Sequence, residues 1–366
     1  MPVIPKTMRA VVYRGADDLR LERVPVPEIG ANELLVKVAV CGVCPTDIKK
    51  IHYGTIQPPR IFGHETAGTI VKAGLLARRA GFRVGERVAL HHHVPCLECR
   101  FCRHRAHAQC ETYKRTGITA GFEPAGGGFA EYARVMGWVL PGVVRIPAKN
   151  SFAEGAMLEP VNTVLKAVKR LNVMRGDRVM VAGQGPIGLM FTKILQLRGV
   201  QVLATDLLES RLKLARKFGA KWTANAREMD HQKGPGFGAG MDAAVIAVPS
   251  DAAVSAALGL VRGGGQVLLF AHTRRAAPGG FDSQAAGGAG IDFASICLDE
   301  KDLIGSYSAD FTIQQEVARL VFSRQLDVRG LISHRFPLEK TASAVALAAK
   351  PTEDSLKIIV ASGNEG

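Results

Sequence analysis

Aromatic side chains and long apolar runs are both scarce in this chain of 366 residues. Phe, Trp and Tyr make up only 6% of the sequence, so recognition of single-stranded nucleic acid by base stacking has little to work with. No stretch approaches the roughly eighteen uninterrupted apolar residues of a membrane-spanning helix. The opening sequence MPVIPKTMRA also lacks the apolar segment of an export signal. We therefore expect a soluble, cytoplasmic protein with no membrane partner.

Acidic residues are also fewer than basic ones. The chain has 33 Asp and Glu and 47 Lys and Arg, which gives a net charge of +14. Such a charge permits binding to nucleic acid or to phosphorylated ligands, but it selects neither. The basic residues are spread along the chain without interleaved aromatics. This pattern favours an enzyme with a basic surface over a zinc module that binds nucleic acid.

The pattern of apolar residues changes near residue 160, and a chain of this length is expected to form two domains. Before that point, short alternating segments such as ELLVKVAV predict a β-rich module. After it, strand-like runs such as RVMVA alternate with helical patterns such as IGLMFTKILQLR. This alternation predicts a parallel sheet with crossover helices, and therefore an α/β protein. The Gly-rich segments 234–240 and 278–290 are predicted to be loops.

Four cysteines lie close together in PCLECRFCRHRAHAQC, at Cys96, Cys99, Cys102 and Cys110. Four thiolates at this spacing can close a tetrahedral shell around Zn(II), which is typical of a structural site. An iron–sulfur cluster and a disulfide pair are the alternatives. The gap of seven residues before Cys110 is too long for the bacterial cluster motif, and thiols in a cytoplasmic protein stay reduced.

A second motif is AGQGPIG, which places Gly183, Gly185 and Gly188 between a predicted strand and a predicted helix. Glycines in this pattern bring the backbone and the helix N-terminus close to a pyrophosphate, with Pro186 and Ile187 between them. Asp206 ends the next predicted strand, where a carboxylate can bind the adenosine ribose and repel a 2′-phosphate. The motif predicts NAD rather than NADP, a preference that the nearby Arg211 weakens.

A third group of residues comes from distant segments: Cys44 in CGVCPTD, His64 and Glu65 in FGHETAG, and Glu159 in MLEPVNTV. Mixed S, N and O ligands are typical of a zinc site that keeps one position open for water or substrate. Each residue also has a simpler interpretation. Cys41 and Cys44 could form a redox pair, His64 could be a core histidine, and Glu159 could interact with a helix dipole.

Taken in order, CGVCPTD, GHETAG, the four-cysteine segment, LEPVNTVLKAV, AGQGPIG and the acidic strand end resemble the zinc-dependent medium-chain dehydrogenase/reductase superfamily. Within it, Glu159 in LEP resembles the sorbitol/polyol and threonine dehydrogenase branch. The resemblance implies a GroES-like β-rich catalytic domain with an inserted Rossmann domain, a doubly wound parallel sheet. It also implies an active site in the cleft between them.

The implied boundaries are 1–158 for the catalytic domain, including a structural zinc lobe at about 91–115, 159–306 for the NAD-binding domain, and 307–366 for a return to the catalytic domain. The resemblance further implies two zinc ions per chain, NAD, a small alcohol or polyol as substrate, and a homo-oligomer, either tetramer or dimer. The expected reaction is hydride transfer between a secondary hydroxyl and NAD, assisted by a zinc ion that lowers the pKa of the alcohol.

The resemblance also implies individual roles. Cys44 and His64 would bind the catalytic zinc, and Glu65 and Glu159 compete for the remaining position. Asp47 would accept the second ring N–H of His64, Thr46 would receive the substrate proton, and Lys357 would reach the cofactor pyrophosphate.

Two positions depart from the family pattern. Pro45 replaces a Gly or a basic residue, and Lys49 stands where many relatives have the histidine that ends the proton relay. His52 could substitute for that histidine. The triple histidine at 91–93 resembles a metal site, but alternation along a strand would send neighbouring rings to opposite faces, which argues against a shared metal.

Several alternative functions stay open. The closest in chemistry are a threonine or other amino alcohol dehydrogenase and a simple secondary-alcohol dehydrogenase. A zinc-free, quinone-type reductase of the same fold is disfavoured by both predicted metal sites, and a nucleic-acid-binding zinc module is disfavoured by the dinucleotide motif.

Overall fold

The computed structural model describes residues 3–115, 117–123, 126–228, 240–271 and 292–363. The predicted loop at 278–290 and all of 234–240 except Gly240 lie outside these residues. The chain divides into two compact units, of which unit 1 comprises Met1–Asn162 and Ala309–Gly366 and unit 2 comprises Thr163–Ser308.

The N-terminal part of unit 1 is built mainly of strands, as its alternating sequence predicts. Its strands are β1 (Thr7–Gly15), β2 (Asp18–Pro25), β3 (Leu34–Gly42), β4 (Glu65–Ala73), β5 (Arg87–Leu90), β6 (Ile118–Thr119), β7 (Tyr132–Val135) and β8 (Val144–Arg145). The helices are α1 (Pro45–Tyr53), α2 (Leu75–Arg79), α3 (Arg100–Arg103), α4 (Glu111–Lys114), α5 (Phe152–Ala156) and α6 (Leu158–Val168), the last of which crosses into unit 2.

In unit 2, strands and helices alternate. The strands are β9 (Arg178–Ala182), β10 (Gln201–Asp206), β11 (Trp222–Asn225), β12 (Met241–Ile246), β13 (Val261–Leu269) and β14 (Asp302–Gly305), and the helices are α7 (Pro186–Leu197), α8 (Glu209–Lys217), α9 (Asp251–Leu260) and α10 (Phe293–Leu298). The strands form one parallel sheet in the order β11-β10-β9-β12-β13-β14. The order reverses between β9 and β12, which makes the end of β9 a switch point where ligands bind in such sheets.

The C-terminal segment adds α11 (Gln314–Phe322), β15 (Ile332–Pro337), α12 (Thr341–Ala349) and β16 (Lys357–Ala361). The strand β16 pairs with β3, so the end of the chain completes the sheet β15-β16-β3-β4-β5-β8 of unit 1. This agrees with a GroES-like β-rich domain interrupted by a Rossmann-type parallel sheet. No helix in the described ranges is long and apolar enough to cross a membrane.

Separate hydrophobic cores stabilise these elements. In unit 1, one core lies around Met8, Tyr13 and Phe129, and a second lies around Leu34, Ile70 and Val139. The core of unit 2 lies around Met180, Ile246 and Leu260. Burial of apolar surface is the main favourable contribution to folding, so each unit has its own source of stability.

The register of β4 is the feature of unit 1 that matters most for its polar residues. β4 pairs antiparallel with β3, with Gly42 opposite Glu65, and with β5, with Thr66 opposite Leu90. Side chains directly opposite one another in such pairs are close neighbours. The residues around the start of β4 are therefore surrounded by the end of β3 and the segment that follows β5.

Ser151 is the N-terminal capping residue of α5. Its hydroxyl accepts from Glu154 N at 3.1 Å, and Glu154 Oε2 accepts from Ser151 N at 2.7 Å, which completes a capping box. We expect Ser151→Ala to lower the free energy of unfolding of unit 1 by about 1 kcal/mol. Urea unfolding followed by the fluorescence of Trp138 in a Trp222→Phe background would report on unit 1. The exposed Ser323→Ala is the control, and equal midpoints for the two variants would contradict the prediction.

Candidate metal centre and dinucleotide site

The four predicted cysteine ligands lie together in one lobe of unit 1. The Sγ atoms are 3.5 Å apart for Cys99 and Cys102, 3.6 Å for Cys96 and Cys110, and 3.9 Å for Cys96 and Cys102. A tetrahedral site with Zn–S bonds of about 2.3 Å places its sulfurs about 3.8 Å apart. All seven cysteines of the chain are free, so the disulfide alternative is not realised. The arrangement fits a structural zinc ion.

The backbone of this lobe also favours thiolates. The N–H groups of Glu98 and Cys99 donate to Cys96 Sγ, which lowers the pKa of that thiol. Tyr113, buried beside the cysteines, donates from its hydroxyl to Ala309 O at 2.7 Å. This bond ties the lobe to the C-terminal segment of unit 1.

The mixed-ligand residues also come together. Cys44, His64 and Glu65 have potential donor atoms that lie within 4.8 Å of one another. Cys44 is the residue before α1, and Pro45 occupies the first position of that helix. Proline is favoured there because its fixed φ suits a helix and because an N–H at the first helical position would have no acceptor within the helix. This departure from the family pattern is therefore compatible with the geometry of α1.

Asp47 contacts His64, as the family resemblance implies. Asp47 lies in the first turn of α1, and its Oδ1 is 3.1 Å from His64 Nδ1, with both side chains buried. Burial alone would lower the pKa of His64, but the Asp47 carboxylate and the adjacent Cys44 sulfur raise it well above its usual value. With Nδ1 engaged, Nε2 is the nitrogen of His64 that is available to a metal.

Lys357, which the family resemblance assigns to the cofactor pyrophosphate, contacts Glu65 in the structure. Its ammonium contacts both carboxylate oxygens and donates to Val43 O at 3.0 Å, and both side chains are buried. Burial would lower the pKa of Lys357, but Glu65 raises it. The opposing residue Gly42 is required here, because a Cβ at that position would overlap the Glu65 carboxylate. Sequence reasoning missed this pair because 292 residues separate its members.

Glu159 and His92 form a second group of donors with His64. Their potential ligand atoms also lie within 4.8 Å of one another, and all three side chains are buried. Burial is the main cause of a rise in the pKa of Glu159 to about 7. Burial and the neighbouring imidazoles lower the pKa of His92 well below its usual value, which favours the neutral ring that binds metals.

The interpretation of the triple histidine needs a correction. The strand β5 ends at Leu90, so residues 91–93 lie beyond it and the alternation of a strand does not apply. The His92 ring lies 4.8 Å from that of His64 and 3.7 Å from that of His93, while His93 lies against Tyr113. His92 is thus a candidate ligand that the sequence argument set aside.

Cys41 does not behave as half of a redox pair. It is fully buried on β3, where its sulfur accepts from Thr66 Oγ1 at 3.4 Å. Burial raises the pKa of the Cys41 thiol to about 12. Since the thiolate is the reactive form, this environment disfavours redox chemistry.

The residues predicted to relay protons differ in their exposure to solvent. Thr46 and Lys49 are half-buried on α1. His52 is 60% exposed, and its Nδ1 lies 3.0 Å from Asp17 Oδ2. The relay through His52 stays a prediction. In the structure His52 pairs with Asp17 at the surface and belongs to none of the groups of potential metal ligands among the described residues.

The glycine motif of unit 2 forms the turn that the sequence predicts. It connects β9 to α7, and the backbone N–H of Gly183 donates to Thr205 O at 2.8 Å. A Cβ at Gly188 would overlap the carbonyl oxygen of Gly183, so only glycine permits the close approach of α7. A Cβ at Gly185 would approach Arg211 Nη1 no closer than 3.8 Å, so the turn leaves room there for a bound phosphate.

Asp206 ends β10 beside this turn. Its Oδ2 accepts from Gln184 N at 2.6 Å and its Oδ1 accepts from Leu208 N at 3.0 Å. Arg211 has a buried Nε that forms no hydrogen bond with the described residues. Two backbone hydrogen bonds therefore fix the orientation of the Asp206 carboxylate, and its role in recognising a ribose stays a prediction.

The four-cysteine lobe yields a direct prediction. Cys99→Ser should lower the metal content from about two ions per chain to about one and destabilise the lobe, because metal binding at such a site contributes to folding. Elemental analysis of the purified protein would measure this. Cys297→Ser, at an exposed and free thiol, is the matched control. Equal metal content in the two variants would remove the structural zinc assignment.

Comparison with known proteins agrees with this architecture. Residues 30–148 match the alcohol dehydrogenase GroES-like domain and residues 186–323 match the zinc-binding dehydrogenase domain. The chain is 28% identical to a sorbitol dehydrogenase of Bombyx mori over 96% of its own length and 97% of that protein. It is 31% identical to an erythritol/L-threitol dehydrogenase of Mycolicibacterium smegmatis, over 97% of this chain and 98% of that one.

Among solved structures, a zinc-binding dehydrogenase of Sinorhizobium meliloti bound to NADP superposes with a TM-score of 0.84 at 25% identity. The match covers 98% of this chain and 100% of that one. The two domain matches, the nearly full-length relatives and the shared fold lead to one conclusion: the chain belongs to the zinc-dependent medium-chain dehydrogenase family, in its polyol dehydrogenase branch.

Proposed function

We propose that this protein is an NAD-dependent zinc dehydrogenase that oxidises a secondary hydroxyl of a polyol, cyclitol or sugar-like substrate. The observation that carries the proposal is that His64 lies in two groups of potential metal ligands in unit 1, one with Cys44 and Glu65 and one with His92 and Glu159. The names of the sorbitol and erythritol/L-threitol dehydrogenase relatives support the substrate class.

Between the two candidate carboxylates, Glu159 is the stronger ligand. Glu65 is paired with the Lys357 ammonium, so a metal would have to compete with a buried cation for its oxygens. The Glu159 side chain is only 7% exposed, and burial raises the pKa of its carboxyl to about 7. A buried carboxylate is favourable only if a proton, a cation or a metal compensates its charge. We therefore assign Cys44, His64 and Glu159 to the catalytic zinc and Glu65 to its immediate surroundings.

Several side chains of unit 1 have separate roles in the proposed reaction. When bound, zinc supplies Lewis acidity toward an alcohol oxygen, and NAD supplies the hydride acceptor. Asp47 keeps the proton of His64 on Nδ1, so that Nε2 stays available as a ligand. Thr46, two residues after Cys44, is the hydroxyl to which we assign the first transfer of the substrate proton. Lys357 pairs with the Glu65 carboxylate and holds it in place beside His64.

We further propose a cytoplasmic homo-oligomer. Seven free cysteines suit a reducing compartment. In the described part of unit 2, β14 pairs only with β13 and leaves one edge open. Leu303 on β14 and the nearby Leu298 and Phe293 are exposed apolar side chains. An open edge of this kind pairs readily with a second copy of the chain.

Asp206 is proposed to select NAD. Asp206→Ser should shift the ratio of kcat/KM for NAD and NADP toward NADP by about tenfold or more, because it removes the negative charge that repels a 2′-phosphate. Initial rates with each cofactor would measure the ratio. In the double variant Asp206→Ser/Arg211→Leu, part of the shift toward NADP should be lost if the Arg211 guanidinium binds the 2′-phosphate. A wild-type protein that already prefers NADP would contradict the assignment.

The function itself is tested by a substrate screen. The purified protein with NAD should produce NADH from sorbitol, erythritol, threitol or myo-inositol faster than from threonine or 2-butanol. Asp47→Asn should lower kcat/KM about 10- to 100-fold, because it disturbs the orientation of a metal-binding histidine. Asp18→Asn, at an exposed ion pair with Arg20, should leave kcat/KM unchanged. Threonine as the best substrate would move the protein to the amino alcohol group, and no NADH from any alcohol would refute the proposal.

A further inference from the structure

His92 lies next to the proposed metal ligands but belongs to no motif. Its ring centroid is 4.8 Å from that of His64, and its side chain is only 2% exposed. Its Nδ1 is buried and has no hydrogen-bond partner among the described residues. A buried ring nitrogen without a partner is unfavourable and calls for a specific explanation.

The position of His92 follows from the sheet. Thr66 of β4 pairs with Leu90 of β5 in antiparallel register. His64 immediately precedes β4 and His92 follows β5, so both lie just beyond the same paired end of the two strands. Their ring centroids are 4.8 Å apart. The backbone of His92 is also fixed, because its carbonyl accepts from Gly117 N at 2.9 Å.

We infer that His92 is a further ligand of the catalytic metal, which it would bind together with His64 and Glu159. Cys44 and Glu65 form the other group of potential ligands around His64, in which Lys357 pairs with the Glu65 carboxylate. The inference rests on the metal site of the proposed function but not on its substrate or cofactor.

The chemistry of His64, His92 and Glu159 supports this role. Two imidazoles and one carboxylate are a common zinc-binding combination. Bonds of about 2.0–2.1 Å in a tetrahedron require donors about 3.3 Å apart. The atoms of His64, His92 and Glu159 lie within 4.8 Å of one another, somewhat farther apart than donors bound to one ion.

The two neighbouring histidines differ from His92 in their contacts. The His93 ring lies 4.4 Å from the Tyr113 ring, in the direction of the four-cysteine lobe. His91 packs against Gly142 and belongs to no donor group in the described ranges. His91 is fully buried, and both of its ring nitrogens lack hydrogen-bond partners among the described residues. It is therefore a matched control for the loss of a buried imidazole.

Cobalt substitution tests the inference without substrate or NAD. The catalytic metal is replaced by Co(II) while the four-cysteine lobe keeps its zinc. Proton NMR of the paramagnetic wild-type protein should show two exchangeable, strongly shifted imidazole N–H signals, one for each coordinated histidine. His92→Asn should remove one signal and weaken Co(II) binding about 10- to 100-fold or more, whereas His91→Asn should change neither property.

Substitution of the thiolate tests the group of His64, His92 and Glu159. Cys44→Ala should abolish the sulfur-to-cobalt charge-transfer band but still bind Co(II), because His64, His92 and Glu159 remain. The double variant Cys44→Ala/His92→Asn should bind no Co(II) at this site. Retention of the zinc in the lobe and an unchanged circular dichroism spectrum show that each variant is folded.

Two results would overturn the inference. One is a single shifted imidazole N–H in the wild-type protein, which decides the matter even if the variants fail to fold. The other is Co(II) binding by His92→Asn with the affinity and spectrum of His91→Asn. Failure to oxidise any polyol would refute the proposed function but leave these measurements unaffected, so the two failures are distinguishable.

Discussion

The antiparallel register of β4 with both of its neighbours decides which side chains surround His64. On one side, Gly42 at the end of β3 lies opposite Glu65 and leaves room for the Lys357 ammonium. On the other side, the segment that leaves β5 brings His92 to His64. A slip of one residue in either pairing would send these side chains to the opposite face. The chemistry of unit 1 therefore depends on strand pairing.

Buried ionisable groups are concentrated around His64. Three carboxylates, those of Asp47, Glu65 and Glu159, are buried within one small region. Lys357 compensates Glu65, and His64 shares a proton with Asp47. Glu159 and the Cys44 sulfur interact with the same two cationic groups, His64 and Lys357. Buried charges are retained when they are paired or when they coordinate a metal, so a divalent ion at the proposed site would add to this compensation.

Features that lie within one short segment could be predicted from the sequence. The four-cysteine spacing indicated a tetrahedral site, and the Sγ separations fit it. The glycine pattern between a strand and a helix indicated the turn at β9, because the close approach at Gly188 excludes any larger residue. The alternation of strand-like and helical runs indicated the parallel sheet of unit 2, because the periodicity of apolar residues is a local property of the sequence.

Features that join distant segments could not be predicted from residue patterns alone. The contact between Lys357 and Glu65 is an example, because it depends on the pairing of the C-terminal strand β16 with β3. His92 was set aside on the assumption of strand alternation, but β5 ends at Leu90 and the ring lies beside His64. The sequence by itself determined the types of donor atoms, the two cysteine-containing segments and the dinucleotide turn. Only the tertiary structure decided which carboxylate is paired with an ammonium and which histidine is a neighbour of His64, because these contacts depend on the register between strands that are far apart in the chain.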